Sequence, residues 1–247
     1  MPLSEAASYP LWVNAAIFVA AGVVVWFAGV RLTRHLDAIA LRTGMNHAFV
    51  GMLLLGGITS LPEVANVANA SMIGNPSLAI NNLLGSAAIN VLLLAVADAW
   101  VGRKAVTSIV ARPSTMMMAT LCMLVLIAIA AAVVLLLAAG GASMPELSTI
   151  LTALRLHRPE MAFGQVLGTN FINLSLIPLG DALYTQGPAI DELGRFEVIS
   201  ALLGATLIGI FMVGLLEHRD KTIFKMGYDS AAVILMFAVG LGVLATI

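Results

Sequence analysis

The chain has 247 residues, of which 60% are hydrophobic and 10% charged, with a formal net charge of -1 and a mean hydropathy of +1.02. A water-soluble domain of this length carries roughly a quarter charged residues, so the composition excludes a soluble globular protein. The near-neutral balance excludes a nucleic-acid-binding surface, and the principal partner is expected to be the lipid bilayer.

The opening MPLSEAASYP lacks a basic n-region, so the first apolar stretch, 11–30, is expected to be a retained helix and not a cleaved signal. Further stretches long enough to cross the hydrocarbon core fall at 47–73, 77–100, 160–183, 196–216 and 227–247, with a long ambiguous stretch at 114–155. The ten-residue alternation of a membrane barrel is absent. The expected fold class is therefore all-α, a single transmembrane domain over 1–247 with about eight membrane helices. The lone Cys122 excludes an intramolecular disulfide.

Basic residues set the orientation, because Lys and Arg are retained in cytoplasmic loops. Arg31, Arg34 and Arg42 follow the first span, Arg103, Lys104 and Arg112 the third, Arg155 and Arg158 lie in RLHRPE, and Arg219, Lys221 and Lys225 precede the last. Placing these clusters inside puts both termini outside and requires an even number of crossings between Arg112 and Arg155. Two crossings are expected, with a reversal near Ala128 to Ala132, although residues 114–139 contain no Gly and no Pro to mark a turn.

The segment GGITSLPEVAN begins at Gly56, and its Ser60, Pro62 and Glu63 recur 83 positions later as Ser143, Pro145 and Glu146. The same offset carries Pro76 to Pro159, Gly85 to Gly168, Ser86 to Thr169, Asn90 to Asn173 and Asp98 to Asp181. With the orientation above, the two units run in opposite senses, the inverted-topology repeat of secondary transporters, whose sites lie at the repeat interface near mid-membrane. Each proline lacks an N–H, which frees the carbonyls one turn earlier, at Ile58 and Gly141. Ser60 and Glu63, like Ser143 and Glu146, are three apart, while Ser86 with Asn90 and Thr169 with Asn173 are four apart, so each pair shares a helix face. Carboxylates, hydroxyls, amide oxygens and freed carbonyls make an all-oxygen set suited to hard cations such as calcium or sodium.

Simpler roles compete at each position. A lone proline in a membrane helix is usually a kink, and a lone Ser or Asn usually a packing hydrogen bond; an intramembrane Glu is functional by default because its burial is costly. Asp98 and Asp181 lie near helix ends, where a solvated or capping role is expected. Met116, Met117 and Met118 are expected to face lipid or pack, and His35, His47, His157 and His218 show no metal spacing.

At ITSLPE with GSAAIN, and at GASMPE with GTNFIN, the chain resembles the cation/calcium exchanger superfamily, specifically its sodium/calcium branch. The resemblance covers 47–183, with a first alpha repeat at 47–100, a second at 130–183 and two C-terminal membrane helices within 196–247. It implies a secondary antiporter, not an enzyme, that exchanges calcium for sodium by alternating access and needs no cofactor beyond the transported ions. It implies Glu63 and Glu146 as central calcium ligands, with Thr59, Ser60, Ser143, Ser86, Thr169, Asn90 and Asn173 around them. The expected location is a prokaryotic plasma membrane. Calcium/proton exchange is the leading alternative, and a passive cation channel, an intramembrane hydrolase and an incomplete, non-transporting form rank below it.

Four features depart from the family pattern. Ile58 stands where the first motif begins with Gly, a change expected to tighten packing at the break, and Ala87 replaces a usual Asn. Asn173 stands where several members have Asp, so the site holds two carboxylates and leaves a third sodium less compensated. Such exchangers have ten helices, whereas about eight are expected here, two being missing between the repeats.

Overall fold

The computed structural model describes residues 10–101, 106–108, 113–133, 144–217, 222–223 and 226–246. Helix α1 (Leu11–Thr43) runs well past the first apolar stretch and stops at Gly44, whose φ of 71° is left-handed. Helix α2 (His47–Thr59) opens under an Asn46 cap, the side chain accepting from Ala48 N at 3.0 Å, and contains a π-helical turn over Val50–Leu55. Helix α3 (Leu61–Met72) follows after a 43° bend at Ser60, with Pro62 in its first turn. The bend is the proline effect expected from sequence, because the ring ends one helix and is tolerated at the start of the next.

Gly74, with φ of 82°, turns the chain into α4 (Pro76–Val101), whose start is capped by Asn75 through Leu78 N at 3.2 Å and Ser77 Oγ at 3.0 Å. Helix α5 (Pro113–Val133) is followed by α6 (Met144–Arg155), α7 (Pro159–Ser175) and α8 (Ile177–Leu183), the last two broken at Leu176 ahead of Pro178. Helices α9 (Arg195–Glu217) and α10 (Tyr228–Leu244) are joined by an antiparallel pair of two-residue strands, Thr222 opposite Gly227 and Ile223 opposite Met226.

Helices α4 and α7 occupy the centre. More than half of the most apolar 18-residue window of α4 is buried, against 6% of that of α1, which leaves Trp12, Phe18 and Phe27 exposed on an apolar outer surface. Helix α2 lies backbone to backbone on α7, because a Cβ on Gly164 would strike the Ala48 carbonyl oxygen and one on Gly168 the Met52 carbonyl oxygen. Small residues are what permit such close approach in a bilayer, where apolar side chains alone gain little by leaving lipid.

Ion pairs and close contacts mark the two ends. At one end Asp37 of α1 accepts from Arg158 Nε at 3.0 Å and pairs with His47 Nε2 at 3.0 Å, so the start of α2, the end of α6 and the start of α7 meet there. Asp98, 1% exposed, accepts from Val106 N (2.9 Å), Gly227 N (2.9 Å) and Ser230 Oγ (2.6 Å), tying the end of α4 to the start of α10. At the other end Gly74, after α3, lies against the side chain of Gln186, after α8.

Several expectations change. Helix α5 runs unbroken over Pro113–Val133, so no reversal occurs near Ala128 to Ala132; a stretch with neither Gly nor Pro continues as helix, and residues 134–143 lie outside the described ones. Of the eight expected crossings, α1, α4, α7 with α8, α9 and the bent α2–α3 pair have the length and apolarity required, α5 runs for 21 residues, and α10 is a shorter apolar helix. Of the solvated or capping roles expected for Asp98 it takes the capping one, buried, and His47, given no role from sequence, is a hydrogen-bond partner of Asp37. Ile58 does not tighten the break, since its side chain is 44% exposed. Met117 faces outward, whereas Met116 and Met118 pack on the core.

Candidate ion-binding site

Both carboxylates are buried, Glu63 in the first turn of α3 and Glu146 in the first turn of α6, each immediately after its proline. Each helix start points partial positive charge at its own carboxylate, which offsets part of the cost of burying it. Ser86 on α4 donates to Glu63 Oε1 at 3.2 Å. Glu146 lies on α6, which packs on both α4 and α7; its carbonyl accepts from Thr149 Oγ1 at 2.9 Å, and Thr149 in turn accepts from Gln165 Nε2 on α7.

The halves of the chain meet through two further contacts. Thr59 Oγ1, at the end of α2, lies 3.4 Å from Thr169 Oγ1 on α7 and donates to Gly56 O at 3.2 Å. Gly56 makes this possible, since a Cβ there would come within 2.9 Å of the Thr169 amide nitrogen. On α4, Asn90 Nδ2 donates to Asn170 Oδ1 on α7 at 3.0 Å, and Asn170 Nδ2 donates to Ala87 O at 3.1 Å.

Ser60, Asn90, Thr169 and Asn173 are fully buried. Ser60 Oγ, Asn90 Oδ1, Asn173 Oδ1, Asn173 Nδ2 and Gln165 Oε1 have no hydrogen-bond partner among the described residues. Buried polar atoms are paired in nine cases of ten, so these unpartnered atoms are candidates to meet a further ligand. Neutral oxygens with two carboxylates are a donor set for a hard cation. Among the described residues no three His, Cys, Asp or Glu side chains cluster. Ile58 contributes no side chain here, its only candidate donor being its carbonyl; Ser143 and Gly141 lie outside the described residues.

Asn170, Gln165 and Thr149 were not among the residues singled out from sequence. The signal for Asn170 is present in GTNFIN, because Ala87 occupies the matching place in GSAAIN and leaves one asparagine where the repeat offers two positions.

Two carboxylates buried within an all-α, proline-broken bundle of apolar helices are features of the class of membrane cation transporters. The model of the sodium/calcium exchanger protein family matches the chain twice, over residues 13–137 and 129–246, and the chain belongs to that family. Among solved structures, the sodium-calcium exchanger NCX_Mj soaked with 100 mM Na+ and 10 mM Sr2+ has the same fold, with a TM-score of 0.69 over 92% of this chain and 96% of that chain at 14% identity. No curated protein matches the sequence. The family consists of transporters and not of enzymes.

Proposed function

We propose that this chain is a secondary antiporter that exchanges calcium for sodium by alternating access, with Glu63 and Glu146 as the charged ligands. Thr59, Ser60, Ser86, Asn90, Thr169 and Asn173 complete the set, with Ser143 and the Ile58 and Gly141 carbonyls. The observation that carries the reading is the set of buried oxygens on Ser60, Asn90 and Asn173 without partners among the described residues, in a chain that also buries the carboxylates of Glu63 and Glu146. Two negative charges neutralise one calcium ion, and several neutral oxygens can be shared by smaller charges in exchange. We further propose that the two repeats are inverted. Helix α2 begins at the Asp37 cluster while α6 ends at it, so α3 carries the chain away from that end and α6 carries it back.

Vesicles containing the protein, loaded with sodium and diluted into labelled calcium, should accumulate calcium and should do so only while the sodium gradient lasts. Uptake driven instead by an imposed proton gradient would replace sodium by protons as the coupling ion, because a carboxylate that binds calcium can also bind a proton. Uptake indifferent to either gradient would mean a passive pathway.

A further inference from the structure

We propose that Asn170 is a positioning residue that fixes which end of the Asn90 side chain faces the cation, and that this single asparagine of the second repeat does so for the first; the inference rests on the exchange site proposed above. Ala87 O can only accept, so the Asn170 atom 3.1 Å from it is the amide nitrogen. The other end of the Asn170 amide is then an acceptor, and the Asn90 atom 3.0 Å away must be Nδ2. Asn90 Oδ1 is thereby turned away from Asn170, fully buried and with no partner among the described residues.

One carbonyl thus sets the orientation of two consecutive amides, and the second presents an oxygen on the face of α4 that also carries Ser86, the donor to Glu63. Without Asn170 nothing would oppose rotation of the Asn90 amide by half a turn. Its NH2 group, which repels cations, would then occupy the ligand position for part of the time. The arrangement is unsymmetrical: Ala87, the repeat equivalent of Asn170, has no side chain able to orient Asn173 in the same way, and both amide atoms of Asn173 are without partners among the described residues. The first-repeat amide is locked as an oxygen ligand, while the second-repeat amide is free to present either end.

Asn170→Ala should raise the calcium concentration for half-maximal uptake roughly tenfold, the scale of one buried hydrogen bond, while maximal uptake changes by less than about twofold. Asn90→Ala should cause a shift of similar size, and adding Asn170→Ala to it should cause no further shift, because no oxygen remains to be oriented. Equilibrium binding of labelled calcium to the purified protein gives the same comparison without transport. If the two single effects add in the double variant, Asn170 acts on packing alone and the proposal falls. If Asn170→Ala leaves half-saturation unchanged in a protein that exchanges calcium normally, the proposal falls while the exchange reading stands. A wild-type chain that neither binds nor exchanges calcium would overturn the exchange reading, and this inference with it.

Discussion

In the exchange site proposed above, Glu63 and Glu146 carry the ion chemistry. Two unit charges 4 Å apart interact by about 4 kcal/mol at an effective dielectric of 20, so removing either negative charge from a divalent cation costs at least two powers of ten in affinity. Glu63→Gln and Glu146→Gln, assayed separately, should each lower calcium uptake at sub-saturating calcium by roughly a hundredfold or more; near-normal uptake in either would remove that residue from the site. Asn173 is the converse case. Asn173→Asp adds a third carboxylate within the same buried oxygen set, and the added charge should favour an additional monovalent ion. The voltage at which sodium and calcium fluxes balance should move toward a higher sodium-to-calcium ratio, and an unmoved reversal potential would separate Asn173 from the transported ions. At this scale the sequence was informative where a residue is expensive, since a buried Glu or a helix-interior proline declares itself. It was silent about Asn170, Gln165 and Thr149, whose roles depend on which neighbours α4, α6 and α7 bring to them.

The elements show why the repeat offset could be read so far along the chain. Helices α3 and α6 begin and end at matching positions, α4 and α7 both open on a proline, and Asp98 and Asp181 each accept from the backbone N–H eight residues on, Val106 and Ala189. The match ends where the environments differ. Asp98 is buried beneath α10 and has three donors, whereas Asp181 is exposed, with Ala189 N at 2.7 Å. Asp98→Ala should therefore lower the unfolding midpoint in detergent by several degrees, and Asp181→Ala by much less; equal effects would show that burial at the α10 junction does not matter. The α2–α7 contact makes a sharper demand. Gly168→Ala would drive a methyl group into the Met52 backbone, which cannot yield as a flexible side chain would, and overpacking of this kind costs about 1–3 kcal/mol. Separating α2 from α7 also parts Thr59 from Thr169, so transport should fall together with thermal stability, and a variant of full stability and activity would contradict the close packing. Helix length was the least legible feature, because α1 continues past its apolar stretch on the strength of partners such as Arg158 that lie far away in sequence.

For the whole molecule the decisive feature is how closely the two halves follow one another along the chain. The two family matches overlap over residues 129–137, and α5 ends at Val133, whereas the counterpart of His47 at the repeat offset is residue 130. Helices α3, α4 and α5 have counterparts at the repeat offset in α6, in α7 with α8, and in α9, while most of the stretch that matches α2, residues 130–142, lies outside the described residues. The sense in which the second repeat crosses the membrane then depends on passages that residues 113–155 must make, and the charge pattern demands an even number of them. Contacts at the two ends allow a direct test. Gly74 meets Gln186 at one end, whereas Asp37, His47 and Arg158 meet at the other, together with the last turn of α1. Single cysteines at Ser77 and Gln186, in a Cys122→Ser background, should both react with an impermeant thiol reagent from outside; cysteines at Thr43 and Thr222 should react only after the membrane is opened. Repeats of the same sense would place Ser77 and Gln186 on opposite faces, so labelling of one without the other would exclude inversion. If all four reacted from one side, the assignment of Lys and Arg to the cytoplasm would fail, and alternating access through a site shared between inverted halves would fail with it.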